Sequence, residues 1–420
     1  MDERSLAAAL RGVLGTVTIE DLTRLSGGAS RETWSFDAIG SGGSRTELVL
    51  RRDPPGRPSE PGAMSREARV IRAAGGAGLA VPEVLLSTEE PDLWGTTGLV
   101  MRRVAGETIA RRILRDAAYR EARKLLVRQV GEFAAGLHAL EVSGHLPTAD
   151  PLAGLRAQLA DFEQVSPVFE LALRALEADR PPARQPVIVH GDLRLGNLIV
   201  GPDSLRAVID WELVHAGNPA EDLGWFCVKA WRFGAGAPAA GLGSREELLA
   251  AYRAAGGADV TPDELRWWEI FGTLRWGVIC MEQAQAHLSG AHRSVELAAV
   301  GRRVCEQEWD LLLLLAPDAA AQAAARRPRV TGAAQPAPAP HGRPTASELL
   351  EAVREFLTGQ VMPACTGQVA FHARVAANVL GIVARELELG AVPPEATLAD
   401  NVAARLAVAN PNYFDPAPPS

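Results

Sequence analysis

Lysine is almost absent from this sequence. Lys124 and Lys229 are the only lysines among the 43 basic residues, so the remaining 41 are arginines. A side-chain cation that contacts phosphate in the N-terminal region must therefore be an arginine. The sequence also lacks an apolar run of about 18 residues, which argues against a membrane-spanning helix. Because the first residues form no apolar signal segment, we expect a cytoplasmic protein.

Cysteine is scarce as well, and its spacing does not predict a metal site. The four cysteines are far apart and form neither a C-x-x-C pair nor the spacing of a zinc site: Cys227, Cys280, Cys305 and Cys365. We interpret them as small buried thiols in a reducing compartment. The net charge of −8 argues against general binding of nucleic acid. We therefore expect neither a nucleic-acid partner nor a membrane partner.

The most informative pattern is H-G-D-x4-N, followed by a second aspartate. His190, Gly191, Asp192 and Asn197 lie between two short apolar runs, and Asp210 ends the next one. Phosphoryl transfer requires a carboxylate that meets the incoming hydroxyl, and oxygen ligands that hold Mg²⁺ against the triphosphate. We predict Asp192 as the catalytic base, and Asn197 and Asp210 as the magnesium ligands. Each alone could be a turn or cap residue, but their common register favours catalysis.

Other residues near this loop have alternative interpretations. Arg194, two residues after the predicted base, is a candidate catalytic cation for the γ-phosphate, and an exposed arginine is the alternative. His190 fits a structural hydrogen bond better than a general base. Asp222 is expected to support the loop through hydrogen bonds to its backbone. Several tryptophans between residues 225 and 276 could line an acceptor pocket, although a helical core explains them better.

The N-terminal region predicts a nucleotide-binding lobe. Helical spacing is present in residues 1–20, and strands are expected around residues 34–38, 46–51 and 98–101. The turn Gly27-Gly28-Ala29-Ser30 would let backbone amides approach phosphate, so Gly28, Ala29 and Ser30 are candidate nucleotide contacts.

Three further residues complete the predicted nucleotide site. Arg51 alternates in phase with Val49, whereas Arg52 points to the other face, so we expect Arg51 to meet the phosphates. Glu67, on a helix predicted for residues 65–74, is expected to pair with Arg51. Met101, which ends the strand 98–101, is also expected to contact the nucleotide.

At 420 residues the chain is too long for one compact core. We predict an N-lobe over residues 1–103, a C-lobe with the acceptor site over 104–316, an Ala/Pro-rich linker over 317–344, and a small helical domain over 345–420. In the last region, Thr345-x-x-Glu348 is a capping box. Apolar residues at helical spacing predict three helices there, ending near residue 409.

The chain resembles the aminoglycoside phosphotransferase/choline-kinase-like superfamily of small-molecule kinases in several stretches, among them LSGGASRETWSF, LVLRR, VIVHGDLRLGNLIV and AVIDWELVHAGNPAEDLGW. Within it, the chain looks most like the branch related to phosphotransferase domains fused to some acyl-CoA dehydrogenases. The resemblance implies an α+β, bilobal protein-kinase-like fold with ATP or GTP and Mg²⁺ in its cleft. The tail resembles a small helical domain of unknown function.

Two positions refine the resemblance, and only the second departs from the usual pattern. Gly191 stands where protein kinases carry arginine, which favours the small-molecule branch. Arg51 replaces the usual lysine, and because the resemblance implies that related members of this branch also carry arginine there, we do not interpret it as a loss of activity. No A-P-E-like segment follows Asp210, so a protein kinase is the least favoured function.

These features predict an ATP-dependent kinase that phosphorylates a hydroxyl group of a small molecule. The alternative is a nucleotide-binding scaffold without turnover, whose residues 345–420 bind a second copy or another protein. A scaffold would not need the base Asp192, which favours the kinase. The acceptor stays open among an aminoglycoside, a macrolide, a hydroxyacyl thioester and other hydroxyl compounds.

Overall fold

The structure, a computed structural model, describes residues 2–25, 31–54, 60–89, 96–141, 146–162, 166–328 and 345–414. The chain forms two compact units. Unit 1 comprises Met1–Ala149 with Pro182–Glu269, and unit 2 comprises Asp150–Pro181 with Ile270–Ser420. Residues 150–181 and 270–316, which we assigned to the C-lobe, therefore share a unit with the C-terminal helices.

The secondary structure begins with a helix and a set of strands: α1 (Glu3–Leu14), β1 (Val17–Arg24), β2 (Glu32–Gly40), β3 (Arg45–Arg52), α2 (Ala63–Gly76), β4 (Val84–Thr88) and β5 (Gly98–Arg102). Helices and short strands follow: α3 (Ala110–Arg115), α4 (Arg120–His138), α5 (Pro151–Ala160), α6 (Pro167–Ala178), β6 (Val187–Val189), β7 (Leu198–Val200), β8 (Leu205–Val208), β9 (His215–Gly217), α7 (Ala220–Cys227), α8 (Arg245–Ala254) and α9 (Pro262–Leu288). The C-terminal part is helical: α10 (Val295–Gly301), α11 (Val304–Leu315), α12 (Pro317–Arg326), α13 (Ala346–Phe356), α14 (Met362–Ala364), α15 (Gly367–Leu389) and α16 (Leu398–Ala409). This order confirms the predicted α+β class. Among the described helices, none is both long and apolar enough to cross a membrane.

The N-terminal sheet is antiparallel, with strand order β1-β2-β3-β5-β4. Side chains alternate along β3, so its two faces carry different kinds of residue. Leu48 and Leu50 are buried and belong to a core cluster that also contains Leu6 and Leu10 of α1. Arg51 falls on the opposite face of the strand. The register of β3 therefore directs this arginine away from the apolar core.

Residues 1–20 do not form the single helix that the sequence predicted. α1 ends at Leu14, and Gly15 after it has φ of 74°, in the left-handed region that favours glycine. The following residues Val17 and Ile19 are β-branched and buried, and they pair with Gly40 and Ala38 of β2. Pairing with β2 therefore overrides the helical spacing.

Two short antiparallel ribbons hold the ends of the H-G-D loop. β6 pairs with β9, where Val189 lies opposite His215. β7 pairs with β8, where Leu198 lies opposite Val208. The loop of residues 190–197 is thereby fixed at both ends, and Asp210 comes shortly after β8.

Unit 2 includes part of the sequence that we predicted as a linker. Residues 317–326 are not extended, because they form α12, with Pro317 in its first turn and a series of alanines behind it. Ala320 and Ala323 are buried. The rest of the predicted linker, from residue 329 to 344, lies outside the described residues.

The C-terminal helices of unit 2 supply partners to buried carboxylates of α11. Arg405 of α16 lies 2.8 Å from Glu308, and the hydroxyl of Tyr413 donates to Asp310 at 2.7 Å. Glu308 and Asp310 are 1% and 2% exposed. The predicted capping box is confirmed, because the side chain of Thr345 accepts from Glu348 N at the start of α13. The tail therefore supplies a cation beside Glu308 and a hydrogen-bond donor to Asp310, while the hydroxyl of Ser166 donates to the other oxygen of Glu308.

The cysteines are free thiols. Cys227, Cys280 and Cys305 are buried, as expected, and burial raises the pKa of both Cys280 and Cys305 to about 12. Cys365 is only half-buried, so the interpretation as a buried thiol is wrong for this residue.

Candidate active site

The H-G-D loop makes a sharp turn at Gly191, which has φ of 80°. A Cβ atom at this position would lie 2.5 Å from the backbone oxygen of Leu213. Real Cβ atoms do not approach backbone that closely, and a residue other than glycine would also be strained at this φ. Only glycine therefore fits between His190 and Asp192 without a shift of the neighbouring backbone.

Asp222 of α7 supports this turn. Its carboxylate accepts the backbone N–H groups of His190 at 2.8 Å and Gly191 at 2.9 Å, which confirms the predicted backbone hydrogen bonds. His138 of α4 lies 3.3 Å from the same carboxylate and 2.8 Å from the hydroxyl of Tyr252. Burial alone would raise the pKa of Asp222, but the hydrogen bonds and charges of these partners outweigh it and lower the pKa. Asp222 is therefore an ionised, buried anchor of the loop.

His190 uses both ring nitrogens within the structure. The backbone N–H of Asp192 donates to Nδ1 at 3.1 Å, and Nε2 lies 3.2 Å from the carbonyl oxygen of Ile209. Burial lowers the pKa of His190, so the neutral ring donates its Nε2–H to that carbonyl. The ring also packs against Trp211, with centroids 4.5 Å apart. These contacts support the structural interpretation of His190 over a role as general base.

The carboxylate of Asp192 is held by three side chains. Arg194 Nε lies 3.0 and 3.1 Å from its two oxygens, and Asn197 Nδ2 donates to Oδ2 at 2.6 Å. The indole N–H of Trp225 donates to Oδ1 at 2.8 Å. The Asp192 side chain keeps 14% of its surface exposed. The predicted base therefore has a fixed orientation and a partly open face.

Arg194 lies beside the predicted base and on an aromatic surface. Its guanidinium carbon is 4.9 Å from the ring centroid of Trp231. The Arg194 side chain is 26% exposed. It can thus present a positive charge next to Asp192, as the sequence predicted, and its contact with the γ-phosphate stays a prediction.

Asn197 and Asp210 lie on adjacent segments, because the backbone N–H of Ile209 donates to the carbonyl oxygen of Asn197 at 2.9 Å. The Asn197 amide nitrogen donates to Asp192, so its amide oxygen is the atom that can act as a ligand. A carboxylate and an amide oxygen are donors that Mg²⁺ accepts, and phosphate oxygens and waters usually complete its coordination. The residues therefore fit magnesium in their chemistry. Within the described ranges, no cluster of three or more His, Cys, Asp or Glu side chains could bind a metal ion by itself.

Arg51 lies among acidic side chains on the face of β3 away from the core. Its Nη2 donates to Asp210 Oδ1 at 2.6 Å, and its Nη1 is 3.7 Å from Glu67 Oε2. Burial alone would lower the pKa of Arg51, but the charges of Asp210, Glu67 and Glu212 raise it further above its ordinary value. Burial alone would raise the pKa of Asp210, but the charge and hydrogen bond of Arg51 lower it. Both groups are therefore charged at neutral pH.

Two residues that the sequence analysis missed join this network. Arg31 donates to the second oxygen of Glu67, and its Nε is 3.0 Å from Asp53 Oδ1. Glu212 Oε2 lies 3.6 Å from Arg51 Nη2 and 3.9 Å from Arg31 Nε. Glu212 lies in a turn and not in a strand, so no local pattern in the sequence pointed to it or to Arg31.

Of the remaining predicted nucleotide contacts, only Met101 lies among the described residues. Met101 lies in β5 opposite Val49 and Val84, and it is 5% exposed. Its contact with a nucleotide stays a prediction. Gly28, Ala29 and Ser30 lie outside the described residues. Arg52, on the other face of β3, pairs with Glu32 at 2.8 Å, away from Asp210 and Glu67.

Comparison with protein families identifies the group to which this site belongs. The model of the phosphotransferase enzyme family matches residues 21–268, which include the H-G-D loop, Asn197 and Asp210. The chain belongs to the phosphotransferase enzyme family. The matched residues include the N-terminal sheet from the second half of β1 onward, and the helices α4, α7 and α8. A domain of unknown function, DUF6285, matches residues 363–400, in agreement with the resemblance of the tail.

Comparison with individual proteins gives two relatives of this phosphotransferase-family chain. It is 29% identical over 240 residues to mouse acyl-CoA dehydrogenase family member 10, covering 53% of this chain and 22% of that protein. It is 31% identical over 195 residues to chicken acyl-CoA dehydrogenase family member 11, covering 42% of this chain and 24% of that protein. The match thus spans about a quarter of each relative.

A solved structure supports the fold. A protein from Ralstonia eutropha assigned as an aminoglycoside phosphotransferase superposes with a TM-score of 0.58 at 21% identity. The alignment covers 75% of this chain and 98% of that protein. This similarity confirms the predicted kinase-like fold.

Proposed function

We propose that this chain is an ATP-dependent, small-molecule kinase that transfers the γ-phosphoryl group to a hydroxyl. The observation that carries the proposal is the carboxylate of Asp192, oriented by Arg194, Asn197 and Trp225 while 14% of its surface stays exposed. A loop that only bound nucleotide would not need an oriented base at this position.

In the proposed reaction, Asp192 accepts a hydrogen bond from the acceptor hydroxyl and then takes its proton. The hydroxyl oxygen forms a bond to the γ-phosphorus as the bond between that phosphorus and the β,γ-bridging oxygen breaks. Arg194 would stabilise negative charge on the transferring group, and Arg51 would contact the other phosphates. Asn197 and Asp210 would hold Mg²⁺, which neutralises part of the triphosphate charge when bound.

The relatives suggest which acceptors to try first. Two of them are named as acyl-CoA dehydrogenase family members, so we propose hydroxyacyl thioesters as the first class. Aminoglycosides follow, because the structural relative is assigned as an aminoglycoside phosphotransferase. Macrolides are a third class of hydroxyl compounds to test. A fractionated cell extract would cover hydroxyl compounds outside these classes.

The test is Mg·ATP-dependent phosphate transfer to these acceptors, followed by mass spectrometry. Asp192→Asn should lower transfer at least about 100-fold, the usual contribution of a general base. Asp203→Asn is the matched control, because Asp203 is a 68% exposed aspartate paired with Arg206 and should keep full activity. Full transfer by Asp192→Asn would contradict the kinase mechanism. Magnesium-dependent ATP binding without any product would favour the scaffold.

A further inference from the structure

α7 contacts the H-G-D loop at two places. Asp222 accepts the backbone N–H groups of His190 and Gly191, and Trp225 donates its indole N–H to the side chain of Asp192. Asp222 and Trp225 are three residues apart in a helix, so they project from the same face. One rigid element therefore supports both the backbone of the loop and the carboxylate that the loop carries.

Trp225 differs from the other partners of Asp192. Arg194 and Asn197 belong to the loop itself and would move with it. Of the residues that the structure describes, Trp225 is the only partner of the Asp192 side chain from outside the loop. Its hydrogen bond therefore fixes the carboxylate relative to α7.

The donor itself is well suited to orient an anion. An indole N–H can only donate, so it cannot turn into an acceptor when the surroundings change. Trp225 is 3% exposed, which leaves its ring little freedom to turn away. Its ring packs on Trp231 with centroids 5.3 Å apart, and Trp231 in turn lies under the Arg194 guanidinium. Trp225 and Arg194, which both contact the Asp192 carboxylate, thus pack on the same ring, that of Trp231.

We propose that Trp225 is a positioning residue, which orients the Asp192 carboxylate for the acceptor hydroxyl through its indole N–H. The inference rests on the proposed role of Asp192 as base. This role differs from both interpretations of the tryptophans in the sequence analysis, which were the lining of an acceptor pocket and a helical core. Loss of the N–H, with the aromatic ring retained, should then affect turnover more than binding or folding.

The first measurement needs neither nucleotide nor acceptor. In ¹⁵N-labelled protein, the nine tryptophans give indole N–H signals, and the signal missing from Trp225→Phe identifies Trp225. We expect this signal to lie downfield in the parent and to move upfield in Asp192→Ala, where the charged acceptor is gone. Asp192→Asn, which keeps the size of the side chain, should also shift it. An unchanged Trp225 signal in both variants would overturn the contact.

The second measurement is steady-state kinetics with Mg·ATP, with water as the acceptor until a better one is known. A hydrogen bond to a charged group contributes about 1.5–3 kcal/mol, so Trp225→Phe should lower kcat roughly 10- to 150-fold. The KM for ATP should stay within about twofold, because the substitution removes an interaction needed in the transition state. The melting temperature should change little, since Phe retains most of the buried ring.

Trp309→Phe is the matched control for the kinetics. Trp309 is 3% exposed and packs edge-to-face on Phe414, so the same change occurs at a buried indole outside the tryptophans considered for the acceptor pocket. It should keep the parent kcat. If Trp225→Phe keeps it too while Asp192→Asn is inactive, the positioning role is wrong and the kinase proposal stands. If Asp192→Asn is itself fully active, the proposed function fails instead.

Discussion

Arg51 donates to Asp210 at 2.6 Å, although 159 positions separate them in the sequence. The same guanidinium is 3.7 Å from Glu67, so the expected partner on α2 is the more distant one. Glu67 uses its other oxygen to bind Arg31. A predicted phosphate-binding cation and a predicted metal ligand are thus paired with each other in this structure. If a metal–nucleotide complex binds as proposed, its phosphates and its metal ion would replace this ion pair.

This pairing leads to a prediction about nucleotide affinity. Arg51→Gln should raise the Kd for Mg·ATP about tenfold or more, because a charge-assisted contact to phosphate is lost. Arg52→Gln should leave that Kd within about twofold, since Arg52 pairs with Glu32 on the other face of β3. Calorimetric titration of both variants measures the difference. Equal Kd values for the two variants would contradict the assignment of Arg51.

A second prediction concerns Gly191. Gly191→Ala should destabilise the protein by more than the roughly 1–2 kcal/mol that left-handed backbone costs an alanine, because its Cβ would also lie 2.5 Å from Leu213 O. Gly43→Ala separates the two effects. Gly43 also has φ of 80°, but nothing lies within 4 Å of its Cβ position. Urea denaturation should show the larger loss for Gly191→Ala, and a similar loss in both would argue against the steric conflict.

The stability supplied by Asp222 should depend on pH. Burial alone raises its pKa, but His138 and the loop amides lower it below the unfolded value of about 3.9. The ionised carboxylate therefore contributes stability above that unfolded value, and the contribution is lost as the pH falls through the folded pKa. Asp222→Asn should thus lower the free energy of unfolding by about 3–5 kcal/mol at neutral pH.

The difference between parent and Asp222→Asn should be constant above about pH 5 and should shrink below about pH 4. Chemical denaturation at a series of pH values measures it. Asp203→Asn, at a 68% exposed site, serves as the control and should show almost no difference. A difference that grows on acidification would have the wrong sign for a lowered pKa.

The contacts between α11 and the tail can be tested in unit 2. Arg405→Gln should lower stability by about 1–3 kcal/mol, because it removes the cation 2.8 Å from Glu308, whose side chain is 2% exposed. Glu386→Gln breaks an ion pair with Arg302 in which both side chains are about half exposed, and it should cost less than about 1 kcal/mol. Thermal unfolding measures both. A larger loss for Glu386→Gln would mean that the buried carboxylate does not depend on Arg405.

The sequence was most informative where the relevant interactions are local. Asp192 and Asn197 are five residues apart in one loop, and the structure brings their side chains into contact, while their roles as base and metal ligand stay predictions. The capping box at Thr345 is equally local and is confirmed. Trp225 could be seen in the sequence as a tryptophan, but not as a donor to a residue 33 positions earlier. The direction of its indole N–H depends on how α7 packs against the H-G-D loop.

Contacts between distant parts of the sequence also explain the other differences between the prediction and the structure. Arg31 reaches Glu67 across 36 positions, because a strand and a helix bring them together. Residues 17–24 form a strand because β2 is available to pair with them, although the residues before them are helical. The helix α12 buries Ala320 and Ala323, and its series of alanines could have predicted it if the prolines further along had not dominated the composition.

The turn at Gly191 also bears on how such a protein can be controlled. In protein kinases the arginine of the H-R-D motif stands here, and arginines that bind a phosphorylated activation loop are a common way to switch such enzymes. With φ of 80° and Leu213 O so near, this position cannot accept that side chain without a rearrangement of its backbone. The loop position that anchors a phosphorylated segment in those kinases is therefore occupied here by a residue with no side chain to bind a phosphate.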